Sequence, residues 1–328
     1  MTHSNGHNGG ITLIPGIKVG HYTDAENATG CTVVLSEAGV MGGVDVRGGA
    51  PGTHETDLLR PEMHMNQVHG IVLSGGSAFG LESANGVMQY LEEHGIGYQA
   101  VGVRVPIVPA AILFDLAIGS KTVRPDKQAG YKACEAASNE PPEEGSVGAG
   151  TGATVAKLAG RDHIVKGGIG TYALDLGGGL LVGALVAVNA LGAVYDPDTG
   201  ELVAGPRGIS IKDPDDPFGL LSSPKPLPKP NPIENTTIGV VATNARLDKA
   251  TVNKLASSAH DGLAMSVRPA HTPHDGDTFF ALATGDHEPR VHLDRVLAAA
   301  ALCVACATVR AVQQAKGLAG VPSISEVK

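Results

Sequence analysis

Proline is concentrated in one short part of this chain, and that stretch limits most strongly how the chain can fold. Seven of the 21 prolines lie between Pro214 and Pro232. Because proline lacks a backbone N–H and fixes φ, the stretch can form neither a helix nor a central strand. We therefore predict an exposed, extended linker over residues 212–233. The apolar run at 238–243 that follows it predicts a buried strand.

The composition indicates a folded chain with a core of small aliphatic side chains. Of its 328 residues 42% are hydrophobic, a share that argues against intrinsic disorder. Only 3% are aromatic and none is tryptophan, so the core must be built from Ala, Val, Leu and Ile. The 45 glycines indicate that backbone segments pack closely against one another.

The charge balance argues against a nucleic-acid partner. The chain carries 33 acidic and 24 basic side chains, for a formal net charge of −9. Neutralising phosphates requires clustered Lys and Arg, and stacking on bases requires aromatic side chains, which are scarce here. We expect no nucleic acid among the partners.

The chain is expected to be cytoplasmic and free of membrane contact. Residues 176–195 carry no charge, yet glycines such as Gly183 and Gly192 interrupt them, so we predict two buried strands, at 186–188 and 193–195, around a turn. The four cysteines are too few and scattered for a disulfide framework, and the N-terminal residues lack an apolar signal core.

Short apolar runs alternate with helical patterns along the chain. Residues 71–73 predict a strand that stops at the Ser-Gly-Gly step 74–76 and is followed by a helix. Further helices are predicted over about 248–267 and 293–316. Since these elements show no regular βαβ rhythm, we predict a layered α/β fold.

The step from Asn235 to Thr236 places a hydroxyl residue between the linker and the predicted strand. If the chain were cut there, Thr236 would gain an α-amino group whose pKa, ordinarily near 8, suits a general base for its own hydroxyl. The alternative from the residues alone is an ordinary Asn turn followed by two β-forming threonines.

A polar loop at residues 271–278 is the second concentration of reactive side chains. Asp275 and Asp277 could orient a hydroxyl or hold an ammonium group through charge-assisted hydrogen bonds. His-x-x-His and Asp-x-Asp also offer metal-ligating atoms, but their spacing matches no strong metal signature, so we predict no metal.

Three other features have both a structural and a functional interpretation. Lys157 in an apolar setting is either a surface residue or a semi-buried donor to an oxyanion. Asn189 either pins a turn or offers its amide to a substrate. Residues 148–153 match a Gly-x-Gly-x-x-Ala nucleotide fingerprint, but no strand precedes them.

Four separated motifs occur in the order of a known family. They are Leu-Ser-Gly-Gly-Ser-Ala-Phe-Gly-Leu at 73–81, Gly-Ala-Gly at 148–150, Asn-Thr-Thr-Ile at 235–238 and His-Thr-x-x-Asp-Gly-Asp-Thr at 271–278. In these motifs the chain resembles the L-aminopeptidase/D-esterase family, which includes β-aminopeptidases and the 6-aminohexanoate (nylon) oligomer hydrolase. The resemblance extends over about residues 11–312.

The resemblance implies a single hydrolase domain with the αββα sandwich of the N-terminal-nucleophile hydrolases. It implies self-cleavage between Asn235 and Thr236, giving an α-subunit of residues 1–235 and a β-subunit of residues 236–328. Cleaved units of this family are expected to form homo-oligomers, and neither a metal nor an organic cofactor is needed.

The resemblance also implies roles for individual residues. Thr236 would be the nucleophile for self-cleavage and for substrate hydrolysis, oriented and activated by Asp275 and Asp277. Lys157 and Asn189 would polarise or hold the reacting carbonyl. Cleavage at Asn-Thr rather than Gly-Ser points to the nylon-hydrolase branch.

The substrate pocket implied by the resemblance contains Phe114 together with Ser74, Gly75 and Gly76. Phe114 stands where members of the family carry a site tyrosine, so substrate preference does not transfer directly. We predict hydrolysis of short peptides, amino amides or nylon oligomers through an acyl-enzyme on Thr236. The alternatives are an acyltransferase with the same nucleophile and a Gly-rich nucleotide-binding protein.

Overall fold

The structure is a computed structural model that describes residues 6–7, 9–209, 235–287 and 290–327. The linker predicted at 212–233 lies outside the described residues. The described helices are α1 (Ser83–Glu93), α2 (Lys127–Glu135), α3 (Lys249–Ser266) and α4 (Leu293–Gln313). The described strands are, in chain order, β1 (Gly6–His7), β2 (Lys18–Asp24), β3 (Thr29–Val46), β4 (Thr53–His54), β5 (Gln67–Ser74), β6 (Tyr98–Ala100), β7 (Val103–Val105), β8 (Ala110–Ile112), β9 (Thr154–Val155), β10 (Val165–Lys166), β11 (Gly168–Asp175), β12 (Leu181–Asn189), β13 (Ala193–Tyr195), β14 (Leu202–Ala204), β15 (Thr236–Ala245), β16 (Val267–Arg268) and β17 (Thr278–His287).

The long strand β3 connects two layers of sheet. In the first layer, residues 41–46 of β3 pair with β17, within the strand order β1-β11-β12-β15-β17-β3. In the second layer, residues 29–35 of β3 pair with β2 on one side and with β5 on the other, and β8 and β4 continue this layer. Among the described strands, neighbours are antiparallel except for two parallel pairs, β15 with β17 and β5 with β8.

Alternating side chains of the strands fill three separate cores, as a period of two requires. The core between the two sheet layers includes Val34, Leu73, Val240 and Phe280. The core between the first layer and α3 and α4 includes Val241, Phe279, Leu255 and Val304. The core between the second layer and α1 and α2 includes Val33, Val72, Leu91 and Ala133. This order of layers is the predicted αββα sandwich.

Glycine lets helix α4 lie directly on the sheet, which bears out the close packing expected from the composition. A Cβ added to Gly170 in β11 would lie 2.2 Å from the Ala307 carbonyl oxygen, and one on Gly168 would lie 2.4 Å from that of Ala311. Both distances are far below van der Waals contact, so no other residue fits at these two positions without moving the helix.

Most predicted elements are present, but one predicted pairing is wrong. The runs at 186–188 and 193–195 are buried strands, yet they do not pair with each other around a turn. Strand β12 pairs with β11 and β15, whereas β13 pairs with β14 and β16. Each run therefore pairs with other strands and not with the run on the far side of residues 190–192.

One helix of the described residues, α4, is long and apolar enough by composition to cross a membrane. Of the most apolar 18-residue stretch of α4, 61% is buried inside the protein, where the helix packs on α3, β11 and β12. Core helices of folded domains commonly share this length and composition, so the feature is weak evidence for a membrane span.

Candidate active site

The two polar segments singled out in the sequence meet at one edge of the sheet. Thr236 is the first residue of β15, and residues 275–277 come directly before β17. Because β15 and β17 are parallel, the residues that precede each strand lie side by side, and Asn235 forms a bridge with Asp275. On the other side of β15, Asn189 pairs with Thr236.

Two donors converge on the carbonyl oxygen of Asn235. The Thr236 hydroxyl donates a short hydrogen bond to it, and the peptide N–H of Gly276 donates another at 3.1 Å. A Cβ on Gly276 would lie only 2.8 Å from Thr236 Oγ1, so a residue without a side chain is needed for this approach. The arrangement holds the hydroxyl against the carbonyl that precedes it.

Asp275 presents an unpartnered carboxylate oxygen at this edge. The side chain is 2% exposed, and its Oδ2 accepts a hydrogen bond from the Thr272 N–H at 2.6 Å. Oδ1 is buried and has no hydrogen-bond partner among the described residues. Burial, together with the charge of Asp277, raises the pKa of Asp275 to about 6. This carboxyl can therefore exchange a proton near neutral pH.

Asp277 is held on both of its oxygens. Oδ1 accepts a hydrogen bond from the Thr237 N–H at 2.7 Å. Oδ2 accepts one from the His271 N–H at 3.0 Å and lies 2.9 Å from the Nδ1 atom of the same residue. Asp277 thus fixes the peptide that follows Thr236, whereas Asp275 keeps an oxygen available.

Lys157 and Asn189 lie together on the other side of Thr236. Lys157 Nζ donates to the Asn189 backbone oxygen at 3.0 Å and to Oδ1 at 2.8 Å. Asn189 is fully buried, and its Nδ2 donates to the Phe114 carbonyl oxygen at 2.9 Å. The charge of Lys157 lowers the pKa of Asp275, opposing the larger effects of burial and Asp277. Lys157 is half-buried, as one of its two interpretations expected.

The predicted pocket residues 74–76 reach the site indirectly. The Gly76 N–H donates to Asp115 Oδ1 at 2.7 Å, and a Cβ on Gly75 would lie 2.0 Å from Asp115 Oδ2. Asp115 directly follows Phe114, whose carbonyl oxygen accepts the hydrogen bond from Asn189. Residues 114–115 therefore connect residues 75–76 to Asn189. Among the described residues no hydrogen bond joins residues 74–76 to Thr236.

Sequence reasoning missed two buried charged residues, Asp115 in this segment and Lys166 near it. Asp115 is 3% exposed and also accepts a hydrogen bond from the Thr29 hydroxyl at 2.7 Å. Lys166 is fully buried, its Nζ donates to two backbone carbonyls at 2.7 Å, and burial lowers its pKa to about 7. The sequence offered only one sign of the buried lysine, namely that Lys166 follows the apolar residues Ile164 and Val165. An isolated lysine in such a position is usually a surface residue.

The described residues offer little support for a metal or nucleotide site. No group of three or more His, Cys, Asp or Glu side chains in the described part of the chain is arranged to hold a metal ion. Residues Gly148–Gly150 form a buried 3-10 turn rather than the strand-to-helix turn that a dinucleotide fingerprint requires.

The chain is similar to known proteins over most of its length. A family model described as Peptidase family S58 matches residues 9–324. An uncharacterized aminopeptidase of Mycobacterium tuberculosis is 43% identical, with 97% of each chain covered. A 6-aminohexanoate-oligomer endohydrolase of Kocuria sp. is 32% identical, covering 83% of this chain and 74% of the relative.

Solved structures show the same fold at lower sequence identity. An L-aminopeptidase D-Ala-esterase/amidase from Ochrobactrum anthropi, described as a variant of the Ntn hydrolase fold, superposes with a TM-score of 0.73 at 21% identity. It covers 99% of this chain and 93% of its own. A β-aminopeptidase of Burkholderia sp. has a TM-score of 0.69 at 24% identity, with coverage of 98% and 92%.

Proposed function

Because this chain belongs to peptidase family S58 and is therefore a hydrolase of peptide or amide bonds, we propose that it cleaves itself before Thr236 and then uses Thr236 as its nucleophile. The observation that carries this proposal is the pair of donors on the Asn235 carbonyl oxygen. One of them is the attacking hydroxyl and the other, the Gly276 N–H, supports the charge that the attack creates.

In the first step, the Thr236 oxygen attacks the Asn235 carbonyl carbon and transfers its proton to a base. Asp275 is suited to accept that proton, because its Oδ1 is unpartnered and its pKa lies near 6. The peptide C–N bond then breaks as the leaving nitrogen takes up a proton, and an ester links Asn235 to Thr236. Water hydrolyses this ester, leaving a carboxylate on Asn235 and a free α-amine on Thr236.

In the second step, the new α-amine accepts the proton of its own hydroxyl, and the ionised Asp275 carboxylate stabilises the ammonium group that forms. The Thr236 oxygen attacks the carbonyl of a substrate amide, the amine product leaves with a proton, and an acyl ester remains on Thr236. Water releases the acid and restores the hydroxyl. In this scheme the new C-terminus at Asn235 moves out of the site after cleavage, and the Gly276 N–H then donates to the substrate's carbonyl oxygen. Lys157 and Asn189 line the opposite side of the site.

We propose small amides as the substrate class. The names of the relatives support aminopeptidase substrates and 6-aminohexanoate oligomers, which share an amide bond and a free amino group. Two carboxylates and one lysine at the site provide charges of both signs, as a substrate with a terminal ammonium and a polar amide requires. We therefore expect cleavage of short peptides, amino amides or linear nylon oligomers.

Capture of the acyl-enzyme tests this function. The purified protein is mixed with an aminoacyl p-nitroanilide or with linear 6-aminohexanoate dimer, quenched in acid within milliseconds to seconds, and analysed by mass spectrometry. We expect the acyl mass on the 236–328 fragment, at Thr236. Thr236→Ala, which lacks the attacking oxygen, should form no adduct and release no product. An adduct on another residue, or turnover by Thr236→Ala, would refute the proposal.

A further inference from the structure

His271 holds the Asp277 carboxylate with both its backbone and its ring. Its N–H donates to Asp277 Oδ2 at 3.0 Å, and its Nδ1 lies 2.9 Å from the same oxygen. To bring both groups to one atom, His271 adopts a left-handed backbone conformation with φ of 58°, which few non-glycine residues take up. Since a carboxylate oxygen accepts, Nδ1 carries the hydrogen.

This contact is linked to the nucleophile through a single side chain. The other oxygen of Asp277 accepts the hydrogen bond from Thr237, whose N–H belongs to the peptide that joins it to Thr236. A rotation of the Asp277 carboxylate would therefore move that peptide plane and the start of β15. His271 and Thr237 together leave the carboxylate one orientation in which both oxygens are bonded.

The ring of His271 is enclosed by a second histidine. His260, on α3, is fully buried, and its ring lies edge-on to His271 with ring centroids 4.8 Å apart. Its Nε2 donates to the Asp45 carbonyl oxygen at 2.9 Å, and burial lowers the pKa of His260 to about 4. The neighbour is therefore neutral at physiological pH, and a neutral ring does not repel a positive charge on His271.

The other charges around His271 come from residues at or just after the end of β3 and from α3. Arg47 lies close enough to oppose protonation of His271, but it is itself bonded to Asp45 and paired with Asp261. Burial also opposes protonation, whereas the hydrogen bond and charge of Asp277 favour it. The balance raises the pKa of His271 above its ordinary value.

We propose that His271 is a positioning residue for the Thr236 reaction, which fixes the orientation of Asp277 and, when protonated, supplies positive charge beside the paired carboxylates of Asp275 and Asp277. The proposal rests on the function proposed above. Two buried carboxylates on one short loop repel each other, and a cation within hydrogen-bond distance of one of them reduces that repulsion. Loss of His271 should therefore alter both the geometry of Thr236 and the proton affinity of Asp275.

Two variants separate the hydrogen bond from the charge. His271→Asn keeps an N–H near the position of Nδ1 and tolerates the left-handed conformation, but it is uncharged. His271→Ala removes both the donor and the charge. His94→Ala is a matched control, because His94 lies on the opposite helix layer, at the end of α1, and bonds only locally to the Tyr90 carbonyl.

The measurements are kcat, KM and the pH profile of amide hydrolysis, together with thermal unfolding of each variant. For His271→Ala we expect kcat to fall by about 10- to 100-fold with KM changed by less than about 3-fold, as for a misplaced catalytic group. His271→Asn should recover most of kcat, while the midpoint of its acidic limb moves up by about 0.5 to 1 pH unit. His94→Ala should match the parent protein.

The outcomes distinguish this inference from the proposed function. If Thr236→Ala is inactive and uncut while both His271 variants keep the parent kcat and acidic midpoint, only the role of His271 is overturned. If Thr236→Ala remains active, the proposed function itself fails. Should His271→Ala not fold, the acidic midpoint of His271→Asn decides, and an unshifted midpoint would count against the inference.

Discussion

The peptide N–H of Gly276 lies 3.1 Å from the carbonyl oxygen of Asn235 and donates a hydrogen bond to it. In the proposed reaction that oxygen gains negative charge as the Thr236 hydroxyl attacks, and the N–H would stabilise the charge without any rearrangement of the backbone. Gly276 is also the middle residue of the Asp-Gly-Asp loop. In the proposed mechanism the loop therefore supplies an oxyanion donor from its backbone and two carboxylates from its side chains.

Replacement of Gly276 tests the backbone donor. A Cβ at this position would lie 2.8 Å from Thr236 Oγ1 and 3.0 Å from the Ala50 carbonyl oxygen, so Gly276→Ala must displace the loop. We expect self-cleavage to slow by about 10² to 10³-fold, the usual effect of losing one oxyanion donor. The time course of fragment appearance after rapid purification measures this rate. Gly9→Ala, whose Cβ would meet only ordinary contacts from 3.5 Å, should cleave at the parent rate.

Replacement of Asp275 tests the buried carboxyl through stability. Its folded-state pKa is raised to about 6, above the ordinary value of 3.8, so the ionised form weakens the folded state. This penalty is absent at low pH, grows as pH rises from about 4 to 6, and is complete above that range. Each pKa unit corresponds to about 1.36 kcal/mol, so the penalty is at most about 3 kcal/mol.

We therefore expect Asp275→Asn to raise the unfolding temperature at pH 8 but hardly at pH 4. The comparison is made in the uncut Thr236→Ala background, so that cleavage does not affect unfolding. Activity should be lost when Asp275→Asn is made alone. A stabilisation that is the same at both pH values would show that ionisation of Asp275 is not the cause.

Lys157 is expected to set the lower end of the working pH range. Its charge lowers the pKa of Asp275, and its Nζ donates to both oxygens of Asn189. Lys157→Met should move the acidic midpoint of hydrolysis upward by about 0.5 to 1 pH unit and lower kcat by about 10- to 100-fold. The exposed Lys254 on α3 provides the control Lys254→Met, which should leave the profile unchanged. An unchanged midpoint in Lys157→Met would exclude this electrostatic role.

Local sequence patterns predicted much of the fold because they report burial and chain direction. The apolar run before Thr243 and the helical spacing on α3 lie where expected, and Asp248 caps that helix by accepting from the Thr251 N–H. The two buried strands expected on either side of the turn are present but do not pair with each other, because periodicity does not reveal which strands will pair. Pairing of Asn189 with Thr236 instead joins residues far apart in sequence.

The candidate site was predictable as a set of residue types but not as a geometry. The resemblance singled out Asp275 and Asp277 as a pair, whereas the structure gives them different surroundings. Asp275 has one oxygen without a hydrogen-bond partner among the described residues, and Asp277 accepts hydrogen bonds from three donors. The contributions of Gly276 and His271 depend on a backbone N–H and a left-handed conformation. Neither feature has a compositional signal, since both arise from how the loop packs against residues 47–50.

Intact-mass spectrometry of the purified protein, beside Thr236→Ala and Thr236→Ser, tests the central claim most directly. We expect the parent protein to appear as two fragments of 235 and 93 residues, with Thr236 as the new N-terminus. Thr236→Ser should also be cut, because it keeps the hydroxyl, and Thr236→Ala should remain one chain of 328 residues. An active parent protein that stays unbroken, or a Thr236→Ala chain that is still cut, would contradict the account.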